Sequence, residues 1–457
     1  MKIISKLFVI VSLFFVNAGL SCAQTAEKQG EIVSYILPNG LHILILEQHT
    51  TPVVAVQVWY HVGSINEPNG LKGIAHLFEH MMFRGSKNFG PEEHFQLIRA
   101  AGGQCNAYTS DETTVYHERL PADKLDLALR LEADRMAWLK LDQNVLDTER
   151  QVVMEEYRMR VENDPVGSIE KDVRLFLYPD NIYEFGPIGK MQDIAKFTVE
   201  DCQKFYGKYY TPNNATLIIV GDVQTQQVIK MVESRFGLIK PSEISVRPQF
   251  VSPAKVVSAV NKSKTDLPIP VTLLAFYTAG ARDKDRAALE VLLSSLTDGK
   301  SSRLWKMLIK DKKIAEYFTG EYIEGADSGL VVFAAAHLPS MSKKVEANIW
   351  QQLEKIKTAG LEPNEFTKIR NKLRAEDIFE KYYAETLASN IGDSDVVRGD
   401  YKLFYETVRE IEDVTQADVI RVANRYFNRD EMKIIYFEPR RKVFLAGVAG
   451  FLKSIFN

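Results

Sequence analysis

The chain has 457 residues, 46% of them apolar and 26% charged. It is too long for one compact core, and its composition is that of a folded protein of two or three domains. Its 57 basic side chains nearly balance 60 acidic ones, leaving a formal net charge of -3, so there is no electrostatic basis for binding nucleic acid or an anionic membrane surface.

The first segment, "MKIISKLFVIVSLFFVNAGLSCAQ", carries Lys2 and Lys6, an apolar run from Leu7 to Val16 and then small residues. Ser21 and Ala23 stand at the -3 and -1 positions of a cleavage before Gln24. Residues 1–23 read as a secretory signal peptide, with an apolar core too short to span a bilayer well. The expectation is export across the inner membrane to the periplasm. Cys22 offers an alternative, a lipid anchor, although Gly19-Leu20-Ser21 is a poor match to the sequence such a site needs. No later stretch is apolar enough to span a membrane. Cys105 and Cys202 are far apart and form no C-x-x-C pattern, so they read as unpaired buried thiols.

"TPVVAVQVWYHVGS" (51–64) reads as a strand. It leads to "GIAHLFEHMMFRGS" (73–86), an apolar helical stretch holding His76, Glu79 and His80. On a helix His76 and His80 are i and i+4, so both imidazoles leave one face and can reach one Zn²⁺. Glu79, three residues after His76, is close enough to act on a metal-activated water without being a ligand. A histidine pair on an apolar helix is more often structural than catalytic, so a third ligand from another helix is required. "GGQCNAYTSDETTVY" follows, alternating from Asn106 to Tyr116 as one strand, with Gly102-Gly103 as the turn before it. "LDQNVLDTERQVVMEEYRMRVEND" then reads as a long helix, with Asp147 or Thr148 early and Asp164-Pro165 at its end. Glu149 and Glu156 are two turns apart on one face of it, while Glu155 points away. A carboxylate ligand at Glu156 with Glu149 behind it fits a zinc site; a solvated acidic face is the alternative.

The chain repeats itself. "TVEDCQKFYGKYYTPNNATLIIVGD" from Thr198 aligns without gaps, at an offset of 217, on "TQADVIRVANRYFNRDEMKIIYFEP" from Thr415. Each copy reads as a helix opened by a threonine cap, a turn and a strand. The strand at 51–64 has a counterpart in "LPIPVTLLAFYTAG" (267–280), itself followed by a helix. The expected organisation is α+β and duplicated. A zinc-bearing domain spans 30–240, a proline-rich linker 241–265, a second domain 266–440 and an apolar tail 441–457. On a rough alignment His76, Glu79 and His80 fall opposite Glu290, Leu293 and Ser294, and only His337 of the eight histidines lies in the second half. A histidine-ligated metal therefore belongs to the first half. The tail is too short to span a membrane comfortably, and reads as a packed terminal helix or as a segment lying on a membrane or a partner.

"HLFEH", with Glu156 placed 76 residues after His80, resembles the inverted zinc motif of the pitrilysin family, which includes insulin-degrading enzyme and the mitochondrial processing peptidase. "WYHVGSINEPNGLKGIAHLFEHMMFRGS", "GGQCNAYTSDETTVYHERLP" and "ERQVVMEE" resemble the same family, and the likeness runs to about residue 440. It implies two duplicated sandwich domains of the LuxS/peptidase metalloenzyme type, forming half of a clamshell. It also implies one Zn²⁺ per chain on His76, His80 and Glu156, with Glu79 as general base and Glu149 orienting a ligand. Asn106 and Ala107 then become candidates for pairing with an extended peptide substrate.

One departure from the family bears on partners. Members that act alone carry an arginine and a tyrosine seven residues apart, facing the zinc. Aligning "KKIAEY" puts Ile309 and Glu316 at those positions, with Tyr317 one place off and Arg303 well upstream. A second family subunit supplying the pair is therefore expected, more readily than a homodimer. The function expected is a zinc-dependent endopeptidase acting on peptides or unfolded segments in an enclosed chamber. The alternative is a non-catalytic scaffold subunit that keeps the fold.

Overall fold

The computed structural model describes residues 30–243, 247–248 and 257–440. The expected leader and apolar tail lie outside the described residues.

The first half builds a six-stranded sheet from β1 (Val33–Ile36), β2 (His42–Glu47), β3 (Val53–Tyr60), β4 (Gln104–Thr109), β5 (Thr114–Pro121) and β6 (Ala215–Gly221), in the order β1-β2-β6-β3-β5-β4. The second half builds a five-stranded sheet from β7 (Ala259–Thr265), β8 (Val271–Thr278), β9 (Tyr317–Glu324), β10 (Gly329–Ala336) and β11 (Lys433–Pro439), in the order β7-β11-β8-β10-β9. Shifting β2 through β6 by 217 residues lands on or within a few residues of β7, β8, β9, β10 and β11, and the strand order is the same. Each sheet has one parallel pair, β2 with β6 and β7 with β11, and these are again equivalent. Thr198 and Thr415 both cap their helices in reciprocal boxes with Asp201 and Asp418. The architecture is α+β and duplicated, as expected.

The central strands are apolar at consecutive positions because both faces of each sheet are covered. In β3 and β6, Val54, Val56, Val58, Leu217 and Ile219 face the helices of their own half. Ala55, Trp59, Ile218 and Val220 face the other way, against Leu387, Ala388 and Ile391 of helix Ala384–Gly392, which belongs to the second half. The exchange is mutual. Helix Pro165–Leu177 of the first half lays Ile169, Val173 and Leu177 on Leu273, Ala275, Ile435 and Phe437 of the second sheet. These two helices occupy corresponding places in the repeat, so each half supplies the outer layer of the other.

Three local expectations change. The segment expected as a linker ends in β7, whose sequence AVNKSKT alternates exposed and half-buried along the sheet edge. Lysine-bearing edge strands lack the apolar signature of inner strands, which is why it read as a connection. The single strand expected over Asn106–Tyr116 is two, β4 and β5. The Ser110 hydroxyl accepts from Glu112 N (3.1 Å) and Thr113 N (2.9 Å) and closes the turn between them. The long glutamate-bearing helix runs Gln143–Tyr157 and is capped by Asp142, whose carboxylate accepts from Val145 N, a turn before Asp147 and Thr148. Asp164 and Pro165 start the next helix.

Candidate metal centre

The histidines stand on helix Ile74–Met81, wedged between sheet and helices with Ile74, Ala75, Leu77, Phe78 and Met81 fully buried. Its entry residue, Gly73, has φ 103° and offers no capping side chain. The cap comes from upstream instead: the buried Glu67 carboxylate accepts from Gly73 N (2.8 Å) and Ala75 N (2.9 Å). Burial pushes the Glu67 carboxyl up to about 8, and the two hydrogen bonds it accepts satisfy donors at the helix start that burial would leave unpaired. Gly73 is also where the chain at Gly189 presses closest, since a Cβ on Gly189 would lie 2.4 Å from Gly73 Cα. At the other end Tyr116 donates its hydroxyl to Phe78 O (3.0 Å). The helix is therefore held at both ends and along its apolar face.

Helix Gln143–Tyr157 brings Glu149 and Glu156 against it. Glu156 Oε2 lies 3.2 Å from His80 Nε2 and 3.6 Å from His76 Nε2. One ligand atom from each of the three residues falls within 4.8 Å of the others. Tetrahedral zinc with bonds of roughly 2.0–2.1 Å separates its ligand atoms by about 3.3 Å, so the set fits a zinc ion with little adjustment. The imidazole planes are 88° apart, and both Nε2 atoms lie near the same Glu156 oxygen. His80 Nδ1 faces Glu149 Oε2 at 3.7 Å, leaving Nε2 for the metal side. Burial pushes the His76 imidazolium down to about 4, so its ring is neutral and offers a lone pair. His80 differs: burial opposes its charge, but Glu149 and Glu156 outweigh burial and push it up to about 9. Glu156 is held at about 2, because His80, His76 and Arg160 outweigh its desolvation. The two histidines thus differ: burial keeps His76 neutral, while the flanking carboxylates of Glu149 and Glu156 favour charge on His80.

Glu79 leaves the same helix without joining the ligand set. Burial raises its carboxyl above the ordinary range, while Thr109 Oγ1 donates to its Oε2 (2.7 Å) and orients it. Glu155 is exposed and ion-paired with Arg158, as its position on the helix implies. Asn106 and Ala107 lie on β4, the edge of the sheet, and Asn106 Oδ1 accepts from Ala107 N (2.9 Å). Cys105 is only half-buried, Cys202 fully, and among the described residues neither is paired.

Four residues near this centre carry no motif: Glu67, Arg84, Thr109 and Arg160, whose Nη2 lies 2.8 Å from Glu156 Oε1. Only Arg160 had a usable signal, its i+4 spacing from Glu156 on a continuous helical run. A second buried set, His94, Glu118 and Glu132, also comes within metal-binding distance. There Arg135 already supplies the cation, donating from Nε to Glu132 (2.9 Å) and stacking on Tyr116 at 4.2 Å. In the second half, Ile309 packs against the core and Glu316 is exposed. Arg303 is bound to Glu365 through Nε (2.8 Å) and Nη2 (2.6 Å), and Tyr317 opens β9.

A duplicated α+β half-clamshell that, among the described residues, carries a His-His-Glu set with a neighbouring carboxylate in its first half only defines a peptidase-type architecture. Two family descriptions match it in series: Insulinase (Peptidase family M16) over residues 42–176, and Peptidase M16 inactive domain over 196–373. The zinc protease PqqE of Helicobacter pylori is 30% identical over 442 residues, covering 95% of this chain and 99% of that protein. An uncharacterised zinc protease of Mycobacterium leprae is 27% identical over 88% of this chain and 91% of its own length. The crystal structure of a protease from Helicobacter pylori superposes with a TM-score of 0.85 at 30% identity, over 90% of this chain and all of that one. The first half of the periplasmic protease PqqL from Escherichia coli shares the fold, with a TM-score of 0.75 at 19% identity over 94% of this chain and 97% of that one. The chain belongs to peptidase family M16, the insulinase family, and its relatives are zinc proteases.

Proposed function

We propose that this protein is a zinc-dependent endopeptidase that cleaves peptides or unfolded segments in an enclosed chamber. The observation that carries the proposal is the convergence of His76, His80 and Glu156 at distances suited to zinc, with Glu79 oriented beside them by Thr109. His76, His80 and Glu156 would hold one ion, and Glu149 would orient His80. When bound, zinc supplies Lewis acidity that makes a water nucleophilic near neutral pH and polarises a carbonyl. Glu79 takes the proton from the attacking water and passes it to the departing amine, and its raised basicity suits both steps. Ala107 N points away from β5, to the free edge of β4, so an extended peptide can replace the Asn106 side chain as its partner and add a strand.

The second half of the chamber is proposed to come from another subunit, preferably a family member with the arginine and tyrosine. The place of action proposed is the periplasm, by way of the signal peptide at residues 1–23. A non-catalytic role draws support from the match of residues 196–373 to an inactive domain, but that stretch excludes His76, His80 and Glu156.

Metal analysis combined with peptide hydrolysis tests the reading. Glu79→Gln should keep about one zinc per chain and lose turnover, because Glu79 is base and not ligand; His80→Ala should lose the metal. Normal turnover in Glu79→Gln sinks the mechanism. Full zinc-dependent rates from the isolated chain sink the need for a second subunit.

A further inference from the structure

The stretch that carries the histidines ends in Arg84, a residue the proposed chemistry does not use. It follows helix Ile74–Met81 by three positions, just before the turn that Gly85 makes at φ 105°. From there its Nε lies 2.7 Å from Glu149 Oε1, and its Nη1 is ion-paired with Glu92. Glu149 has no solvent exposure. Its Oε2 lies 3.7 Å from His80 Nδ1, and among the described residues neither carboxylate oxygen completes an aligned hydrogen bond. Ionic attraction is therefore what balances a fully buried carboxylate, and an unbalanced one there is costly. Among the described residues, Arg84 is the one lysine or arginine in ion-pair range of Glu149.

We propose that Arg84 is a positioning residue for the metal centre. It holds Glu149 in place behind His80, so that the carboxylate faces Nδ1 of that ring and Nε2 stays turned toward Glu156. Among the described residues Arg84 forms no ion pair with Glu156, and it acts on the centre through Glu149. The inference rests on the zinc-peptidase reading and adds to it a residue outside the metal-ligand motif. Outer partners of this kind typically change metal affinity by about 10–100-fold.

The test is zinc affinity of the full chain, measured by competition with a chromophoric chelator. The chains compared are wild type, Arg84→Ala, Arg84→Gln, Arg84→Lys, Glu149→Gln and the Arg84→Ala/Glu149→Gln double variant. Arg84 is partly exposed, so both neutral variants are expected to fold, and circular dichroism selects the folded ones. Either neutral variant should bind zinc about 10-fold more weakly or worse, and Arg84→Lys should recover most of that loss. In the Glu149→Gln background, losing Arg84 should cost less than about twofold, since the charge it balances is gone. Wild-type affinity in Arg84→Ala or Arg84→Gln overturns the proposal, as does an undiminished loss in the Glu149→Gln background, which would mark a merely structural role. A wild-type chain that binds no zinc overturns the zinc-peptidase reading itself, and this proposal with it.

Discussion

Replacing Gly392 by alanine should destabilise the protein, although secondary-structure propensity alone says the reverse. Gly392 closes helix Ala384–Gly392 with φ -63° and ψ -43°, a backbone that alanine adopts freely and prefers to glycine by about 1 kcal/mol. Against this, an added Cβ would stand 2.2 Å from Trp59 Cε2, 2.5 Å from Cζ2 and 2.6 Å from Nε1. The ring has little room to yield. Trp59 is 3% exposed, and its Nε1 donates to Gln57 Oε1 (2.8 Å). Gln57 Nε2 in turn donates to Glu385 O (3.1 Å) and Ser389 Oγ (3.0 Å) on the same crossing helix. Overpacking costs about 1–3 kcal/mol, and a strained or lost Trp59 hydrogen bond adds about 1 kcal/mol. Less the propensity gain, the net is a loss of about 2 kcal/mol. Urea unfolding followed in parallel by tryptophan fluorescence and far-ultraviolet circular dichroism should show a lower midpoint. Trp59→Phe, which removes the colliding ring atoms, should make the two substitutions less than additive. A Gly392→Ala protein as stable as wild type, or strict additivity with Trp59→Phe, would refute the packing argument.

Two further outcomes follow from single side chains. Thr109→Val removes the donor to Glu79 Oε2; a hydrogen bond to a charged group contributes about 1.5–3 kcal/mol, so turnover should fall at least about 10-fold with zinc content unchanged, and unchanged turnover would make that bond incidental. His337 is fully buried between Thr272 Oγ1 (2.8 Å) and Leu338 O (2.9 Å), and burial depresses its imidazolium pKa. Below the ordinary histidine value near 6.5 the unfolded chain takes up a proton that the folded chain refuses, so stability should decline as pH falls through that value. His337→Gln should flatten the decline between pH 7 and pH 5, and an unaltered slope would show that other groups set it.

The legible parts of the sequence were those whose physics is local or repeated. His76 and His80 share a face because a helix turns 3.6 residues at a time, and Glu149 and Glu156 share one for the same reason. Thr198 and Thr415 mark helix starts because the cap and its partner sit three residues apart. The repeat at 217 made the duplicated architecture readable. Where reading failed, ordinary surface chemistry hid the structure: β7 is a lysine-bearing edge, and the turn at Ser110 interrupts an alternation that otherwise continues.

By itself, then, the sequence determined the duplication, the helix faces, and the pairing of a two-histidine helix with a two-glutamate helix. Only the tertiary structure decided what holds those faces together. Glu67 caps a helix it does not belong to, Thr109 reaches Glu79 from an edge strand, and Arg84 balances a glutamate on another helix. Each half also lends a helix to the sheet of the other, so that Gly392 meets Trp59 across 333 residues of chain. Contacts of that range leave no period in the sequence, because the chain between the partners adds nothing to the geometry that joins them. They form where two folded surfaces meet, and residue types common at any surface are enough to make them.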